Sequence, residues 1–536
     1  MKKAIIPLIV AIALAVGIIV GNLFAVRSGA PAAWQNYQQT DNKITDMLSL
    51  IDRVYVDSVQ SDSLVELVMP LIVRQLDPHS AYIPASDLVA VNEELAGSFG
   101  GIGVQFSLQN DTIHVVEVIA GGPSERAGLQ AGDRIVEVND SAFVGSSLTN
   151  ERVMKRLRGP KNTQIKLGIV RTGAPDVLHF DIIRGDIPSI SVYGPCMVAP
   201  KIGYINVSKF GADTYWEFLT ALSALHKKNA QAVIVDLRGN SGGYLDAATN
   251  MLNEFLAKND LLVYVEGKAY PRESTYANGN GTFTNMKIAV LVDEFSASAS
   301  EIFAGAIQDN DRGIIIGRRT FGKGLVQNQM QFADGSALRL TVARYYTPSG
   351  RCIQKPYERG KIENYEEDML NRYLHGEMFS QDSIHQNDTV AYHTKKGRTV
   401  YGGGGIMPDI FVARDTTGYS PYFAALANGG HIYQFALQYT EQHRETLKKF
   451  GDWQSLAKHL DQQKVYDQLV AAAAAKGITG SDKDKSISQK SIQQNLYSYI
   501  IRNVLGDIDF YSYAATFDTT VLRAVEELNE KLGIRN

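Results

Sequence analysis

The run Ala232-Val233-Ile234-Val235-Asp236-Leu237 has one polar residue in six. A strand that does not alternate has both faces covered, the condition of a sheet flanked by helices. Residues 287–292 repeat the pattern, and 202–207, 261–265 and 313–317 read as further strands. Helical periods fall between them, at 214–226, 246–256 and 297–307. Strand, helix and strand in that order demand crossover connections and a sheet that is at least partly parallel. Residues 202–346 therefore read as a mixed α/β unit.

Upstream the character changes. Gly97, Gly100, Gly101 and Gly103 lead into strand patterns at 113–118, 134–138 and 164–170. One helix is predicted over 150–157, with Val153, Met154 and Leu157 on one face. Residues 97–184 suit one small β-rich domain. Residues 40–95 read as helical. Ile44, Met47, Leu48, Ile51 and Val54 share a face, and further helices are predicted over 63–75 and 86–95. Asp77-Pro78-His79-Ser80 interrupts them, because the residue before a proline is held out of helix; His79 reads as structural.

At the start, Met1-Lys2-Lys3 precedes 23 uncharged residues, 4–26. As a helix they reach about 34 Å, enough for one bilayer crossing. A cleavable signal usually has a shorter apolar core. Residues 1–26 thus read as a signal-anchor in preference to a signal peptide. Lys2 and Lys3 on the inner side put the rest of the chain across the membrane. Residues 30–39 read as a tether.

Past Pro348 the pattern weakens. Residues 351–415 read as a polar extension, with an irregular insertion over 357–399 whose His375, His385 and His393 lack metal-binding spacing. The run Gly402-Gly403-Gly404-Gly405 calls for unusual torsions or close backbone approach. Residues 416–536 read as helical, broken by a polar linker around 477–490. Two cysteines, Cys196 and Cys352, exclude a disulfide framework and leave one bridge open. A net charge of −4 gives no electrostatic reason to expect nucleic acid.

The chemistry concentrates in two places. Phe295-Ser296-Ala297-Ser298-Ala299-Ser300-Glu301 follows a buried strand and opens a helix, where unpaired N–H groups carry partial positive charge. Ser298 can present a hydroxyl there, with the N–H of Ala299 toward a developing oxyanion. Thr320-Phe321-Gly322-Lys323-Gly324 follows the next strand, and Gln327 lies four residues beyond the lysine. No histidine is near these elements in sequence, but a lysine desolvated toward neutrality can serve as base. Gln327 can orient that amine without adding charge. A second oxyanion donor is expected from Gly242 or Gly243, after Asp236-Leu237-Arg238. Taken singly, Ser296 and Ser298 also read as helix caps, Lys323 as a solvated turn lysine, and the glycine pair as a tight turn.

At these residues the sequence resembles the carboxy-terminal processing, or tail-specific, serine peptidase family, known as peptidase family S41. The resemblance rests on Ser298-Ala299-Ser300-Glu301, Thr320 to Gly324, Val326-Gln327, and Asp236-Leu237-Arg238 with Gly242-Gly243. It implies Ser298 as nucleophile with Ser300 as runner-up, Lys323 as general base, and Gln327 as its orienter. Ala299 and one of Gly242 and Gly243 would form the oxyanion hole. Gly121 to Leu129 and Ala131-Gly132-Asp133-Arg134-Ile135 resemble a PDZ domain, with Gly101, Ile102, Gly103 and Val104 as a carboxylate-binding loop. Val104 and Phe106 would line an apolar pocket beside a strand edge that pairs with a peptide.

The resemblance implies an α/β, multidomain chain. A ClpP/crotonase-like mixed α/β protease core over 185–350 would carry an inserted PDZ domain over 97–184. Helical regions would flank them at 40–95 and 416–536. The expected function is that of a membrane-anchored serine endopeptidase facing the periplasm, or periplasmic if residues 1–26 are removed. It would take protein tails with apolar C-termini, dimerise through terminal helices, and need no metal or nucleotide cofactor. The alternative is an inactive PDZ-bearing periplasmic adaptor or chaperone.

Overall fold

The computed structural model describes residues 13–20, 42–109, 111–171, 173–384 and 390–534. They fall into two compact units, 1–76 and 77–536. In the first, Asn42 caps the helix Lys43–Val54 by accepting the Ile44 N–H at 3.0 Å, and a second helix spans Ser61–Arg74. Residues 13–20 are helical; the rest of the apolar stretch 4–26, and the whole tether 30–39, lie outside the described residues. Among the described residues no helix is long and apolar enough to cross a membrane.

The second unit is built on a six-stranded sheet. Its order is Val192–Ala199, Ile202–Val207, Ala232–Asp236, Lys287–Val292, Ile314–Gly317 and Ile410–Phe411. The first pair is antiparallel and the rest parallel. The apolar strand 232–236 is central, and its side chains divide between two cores. Val233 and Val235 face helices Thr214–Lys227, Leu245–Asn253 and Ala299–Asp309. Ala232 and Ile234 face Val521, Ala524 and Leu528 of the last helix, Thr519–Leu532. This two-sided cover is why the strand carries so little alternation.

A second sheet orders Ala81–Ile83, Ala337–Tyr346, Leu261–Glu266 and Glu273–Tyr276, with Leu325–Gln331 paired to Ala337–Tyr346 as a hairpin. The strand predicted over 261–265 thus belongs here and not to the parallel sheet. A third, β-rich body runs in the order Val104–Gln109, Thr112–Val118, Arg134–Val138, Gln164–Val170 and Leu178–Ile183. Helix Asn150–Leu157 adds Val153 and Leu157 to its core. The chain is thus mixed α/β and multidomain, with a separate helical core near the C-terminus around Leu426, Leu456, Leu469 and Ile500.

Two expectations are corrected. Residues 357–399 are not irregular: they contain the helix Ile362–Leu374 and a small hairpin, Ala391–His393 with Thr399–Tyr401. The helix buries only Ile362, Tyr365 and Arg372, so its sequence carries a weak apolar period. The polar linker around 477–490 is shorter than expected. Ser481 caps the helix Asp482–Leu505 by accepting the Asp484 N–H, and the helix's first two turns are polar because they are largely exposed. Cys196 and Cys352 are not joined in a disulfide, and burial pushes the Cys196 thiol up to about 12.

Candidate active site

Ser298 stands just before the helix Ala299–Asp309 with φ 56° and ψ −116°. A non-glycine residue held there is strained, and such strain persists only where surrounding contacts impose it. The contacts are visible. Ala297 N–H bonds the Asn240 carbonyl at 3.0 Å, and Phe321 N–H bonds the Ser296 carbonyl at 3.0 Å. Ser296 and Ser300 are fully buried and their hydroxyls donate to the carbonyls of Leu237 (2.8 Å) and Asn240 (2.9 Å). Of the three serines only Ser298 retains partial exposure.

Glu301 joins this turn to the lysine loop. Its carboxylate is fully buried and accepts four hydrogen bonds. Oε1 takes the Thr320 hydroxyl at 2.5 Å and the Gly322 N–H at 2.7 Å. Oε2 takes the N–H groups of Lys323 at 2.8 Å and Ser298 at 2.9 Å. One oxygen therefore holds the backbones of Ser298 and Lys323 together. The buried Tyr345 hydroxyl binds the same pair from their carbonyl side, 3.1 Å from Ser298 O and 2.6 Å from Lys323 O. Burial pulls the Lys323 amine below the usual lysine value, and the Arg339 guanidinium adds to that against the opposing pull of Glu301 and Asp77.

Gln327 donates from Nε2 to Thr341 Oγ1 at 3.3 Å across the hairpin. His79 meets the Tyr365 hydroxyl at 2.8 Å through Nε2 and packs edge-on against that ring. Burial lowers His79 to about 4, helped by the nearby Lys323 charge. It is therefore neutral across the physiological range.

The glycine pair lies against the serine. A Cβ on Gly242 would sit 2.7 Å from Ser298 Cβ and 3.1 Å from Ala299 N, and its φ is +106°. Only glycine can bring a backbone that close. The Gly242 N–H donates to Asn240 Oδ1 at 2.8 Å, so this amide is engaged. Gly243 bridges Phe210 in parallel fashion: Phe210 N–H bonds Gly242 O at 2.9 Å and Tyr244 N–H bonds Phe210 O at 2.7 Å. That pattern turns the Gly243 N–H away from Phe210.

Several supporting residues escape sequence reasoning. Arg238 chelates Asp236 (Nη2–Oδ2 2.6 Å) and reaches Asp518 (2.8 Å), the residue that caps the last helix. Arg372, from the unexpected helix, donates to the carbonyls of Arg319 (2.7 Å) and Thr320 (3.1 Å), and both arginines share Glu377. Gly405 N–H bonds Ile353 O at 2.8 Å, and a Cβ there would meet Thr320 O at 2.6 Å. Asp236 beside Arg238 and Glu377 beside Arg372 are local, but the other partners lie tens to hundreds of residues away, and no local spacing signals them. The signals that could have found some were Glu301 inside the serine motif and the glycine run at 402–405.

In the β-rich body, Val104–Gln109 is an edge strand. Val104 pairs with Val118, and Ile119 N–H bonds Gly103 O at 3.0 Å. This is a non-hydrogen-bonded pair, so the Val104 N–H points to the open edge. Gly103 has φ +78°, Ile102 is buried in the domain core, and Gly101 pairs with Gly185. Phe106 is half-buried against that core. The edge and loop can hold an extended segment by its backbone.

Residues 201–363 match the model of peptidase family S41, and residues 91–170 match that of the PDZ domain. Residues 422–506 match a family of unknown function (DUF8443). A "probable CtpA-like serine protease" of Staphylococcus aureus (strain COL) is 34% identical over 318 residues, covering 59% of this chain and 63% of that protein. One of the same description from Staphylococcus epidermidis is 32% identical over 329 residues, covering 59% and 64%. The chain thus spans a little under two thirds of the curated relatives it matches. A solved photosystem II D1 C-terminal processing protease is 25% identical, with a TM-score of 0.35, covering 70% of this chain and 94% of that one. The chain carries a peptidase family S41 domain joined to an upstream PDZ domain.

Proposed function

We propose that this protein is a serine endopeptidase of the cell envelope that captures apolar C-terminal tails on its PDZ domain and cleaves them with a Ser298–Lys323 dyad. The observation that carries this reading is the shared Glu301 oxygen, which holds the backbones of Ser298 and Lys323 together while burial lowers the lysine amine. The neutral amine takes the hydroxyl proton as Ser298 Oγ bonds the scissile carbonyl carbon. The N–H of Ala299 and one from the glycine pair stabilise the oxyanion; with Gly242 engaged by Asn240, the reading favours Gly243. The ammonium then protonates the leaving amine nitrogen as the C–N bond breaks. Water, deprotonated by Lys323, attacks the acyl-enzyme, and the proton returns to Ser298 Oγ as the ester bond breaks. Gln327 orients the amine.

A tail would add to the open edge at Val104, with its carboxylate on the loop of Gly101, Ile102 and Gly103. The apolar stretch 4–26 would hold the enzyme at the inner membrane, facing the periplasm, and terminal helices would pair two copies. The test is cleavage of peptides with varied C-terminal tails, located by mass, by the wild type and by Ser298→Ala. Tail-dependent cuts lost in the variant are expected; undiminished turnover by Ser298→Ala sinks the assignment. An inactive adaptor would instead bind tails, cut nothing, and show no adduct with a serine-reactive phosphonate.

A further inference from the structure

Behind Gln327 a chain of hydrogen bonds runs back to Asp77, and proton counting fixes its directions. Asp77 is buried, and its carboxylate meets four donors. Oδ1 takes the N–H groups of His79 and Ser80, each at 2.9 Å, and the Thr341 hydroxyl at 2.9 Å. Oδ2 takes the Ser80 hydroxyl at 2.5 Å. Burial works to raise this carboxyl, but the hydrogen bonds from Ser80, His79 and Thr341 outweigh it and hold it below its usual value.

An ionised carboxylate only accepts. The single hydroxyl proton of Thr341 therefore goes to Asp77, and its oxygen can then only accept. It receives the Gln327 side chain at 3.3 Å, and only the NH2 end of an amide can donate. Gln327 must keep its nitrogen on Thr341 and turn its carbonyl oxygen the other way. This settles the amide from its partners, independently of which end is drawn as nitrogen. Ser80 follows the same rule: its proton goes to Asp77, and its oxygen accepts the Thr341 N–H at 3.0 Å.

The consequence rests on the reading of Lys323 as base. A neutral amine has two protons and one lone pair, and the lone pair must face the Ser298 hydroxyl. A carbonyl oxygen from Gln327 accepts an amine N–H and leaves the lone pair for the serine. An NH2 group in the same place would donate into that lone pair and occupy it. We propose that Asp77 and Thr341 are positioning residues that set which end of the Gln327 amide faces Lys323.

The test uses the full chain and a quenched fluorescent peptide with an apolar C-terminal tail. Thr341→Val keeps the shape and removes the hydroxyl. It is expected to lower kcat roughly tenfold, the scale of one lost hydrogen bond, with KM within about twofold. Thr341→Ser, which keeps the hydroxyl, recovers most of the loss. The deciding measurement is a cycle with Gln327→Ala, in which Thr341→Val should cost nothing further. Asp77→Asn, whose amide can donate and so free the Thr341 proton to point at Gln327, is the second variant and carries the same coupling expectation. An equal loss in both backgrounds overturns the positioning role alone, as does a Thr341→Ser enzyme as slow as Thr341→Val. Full activity of Gln327→Ala overturns the underlying lysine–glutamine reading as well.

Discussion

Glu301→Gln isolates the contact that joins the two loops bearing Ser298 and Lys323. The carboxylate meets four donors, two on each oxygen, at 2.5 to 2.9 Å. Glutamine can match only one pair. With its NH2 toward Ser298 and Lys323, two backbone N–H groups would face a donor. With its NH2 toward Thr320 and Gly322, the threonine can rotate its proton away. Its oxygen already accepts the Ile406 N–H at 2.6 Å and has room for one more. Only the Gly322 N–H is then held facing a donor, because the Thr320 hydroxyl can turn where a backbone N–H cannot, so the second orientation wins. A buried unsatisfied donor costs about 1–3 kcal/mol, and the surviving bonds lose their charge assistance. A total near 3 kcal/mol is expected, a large share of the roughly 5–15 kcal/mol that holds a domain folded. Because this orientation keeps an oxygen on Ser298 and Lys323, kcat should fall only about tenfold. Glu301→Ala, which releases both loops, should be both less stable and far slower. The assay is urea unfolding beside steady-state peptide cleavage for the three enzymes. If both variants match wild type in midpoint and in kcat, the bridging role of this carboxylate is wrong.

The remaining expectations concern the lysine, the glycine pair and the last helix. Because burial lowers the Lys323 amine, kcat/KM should rise with pH through a midpoint below the ordinary lysine value and vanish as acid protonates the base. A midpoint at or above about 10.4 would refute this, and Lys323→Arg should be inactive at every pH. Gly242→Ala places a Cβ 2.7 Å from Ser298 Cβ and 2.8 Å from Ala297 O at φ +106°. It should cost about 1–3 kcal/mol of strain and at least roughly a hundredfold in kcat; a variant of normal speed would show that this approach is not needed. Asp518→Ala removes a helix cap and one of two carboxylates on Arg238. Thermal or urea unfolding should show a loss of about 2–4 kcal/mol, and an unchanged midpoint would mean the pair contributes nothing.

The α/β character and the two loops bearing Ser298 and Lys323 were legible in the chain alone. Apolar runs and helical periods are local properties, set by what each residue meets within one turn or one strand. The strands 232–236 and 287–292 announced themselves because both faces are covered. The hairpin Leu325–Gln331 with Ala337–Tyr346 did not, since its exposed polar residues alternate only weakly. The helix Ile362–Leu374 hid for the same reason, burying few side chains.

What tertiary structure alone decided is the wiring. Asp77 with Thr341, Glu301 with Gly322, Arg238 with Asp518, and Arg372 with Thr320 are pairs separated by up to several hundred residues. A hydrogen bond depends on two groups meeting within about 3 Å and on which of them carries the proton. Neither condition leaves a trace in the spacing of a sequence. The chain on its own named Ser298, Lys323 and Gln327 as candidates; the fold determined which neighbours hold them in place, and that Gln327 meets Thr341.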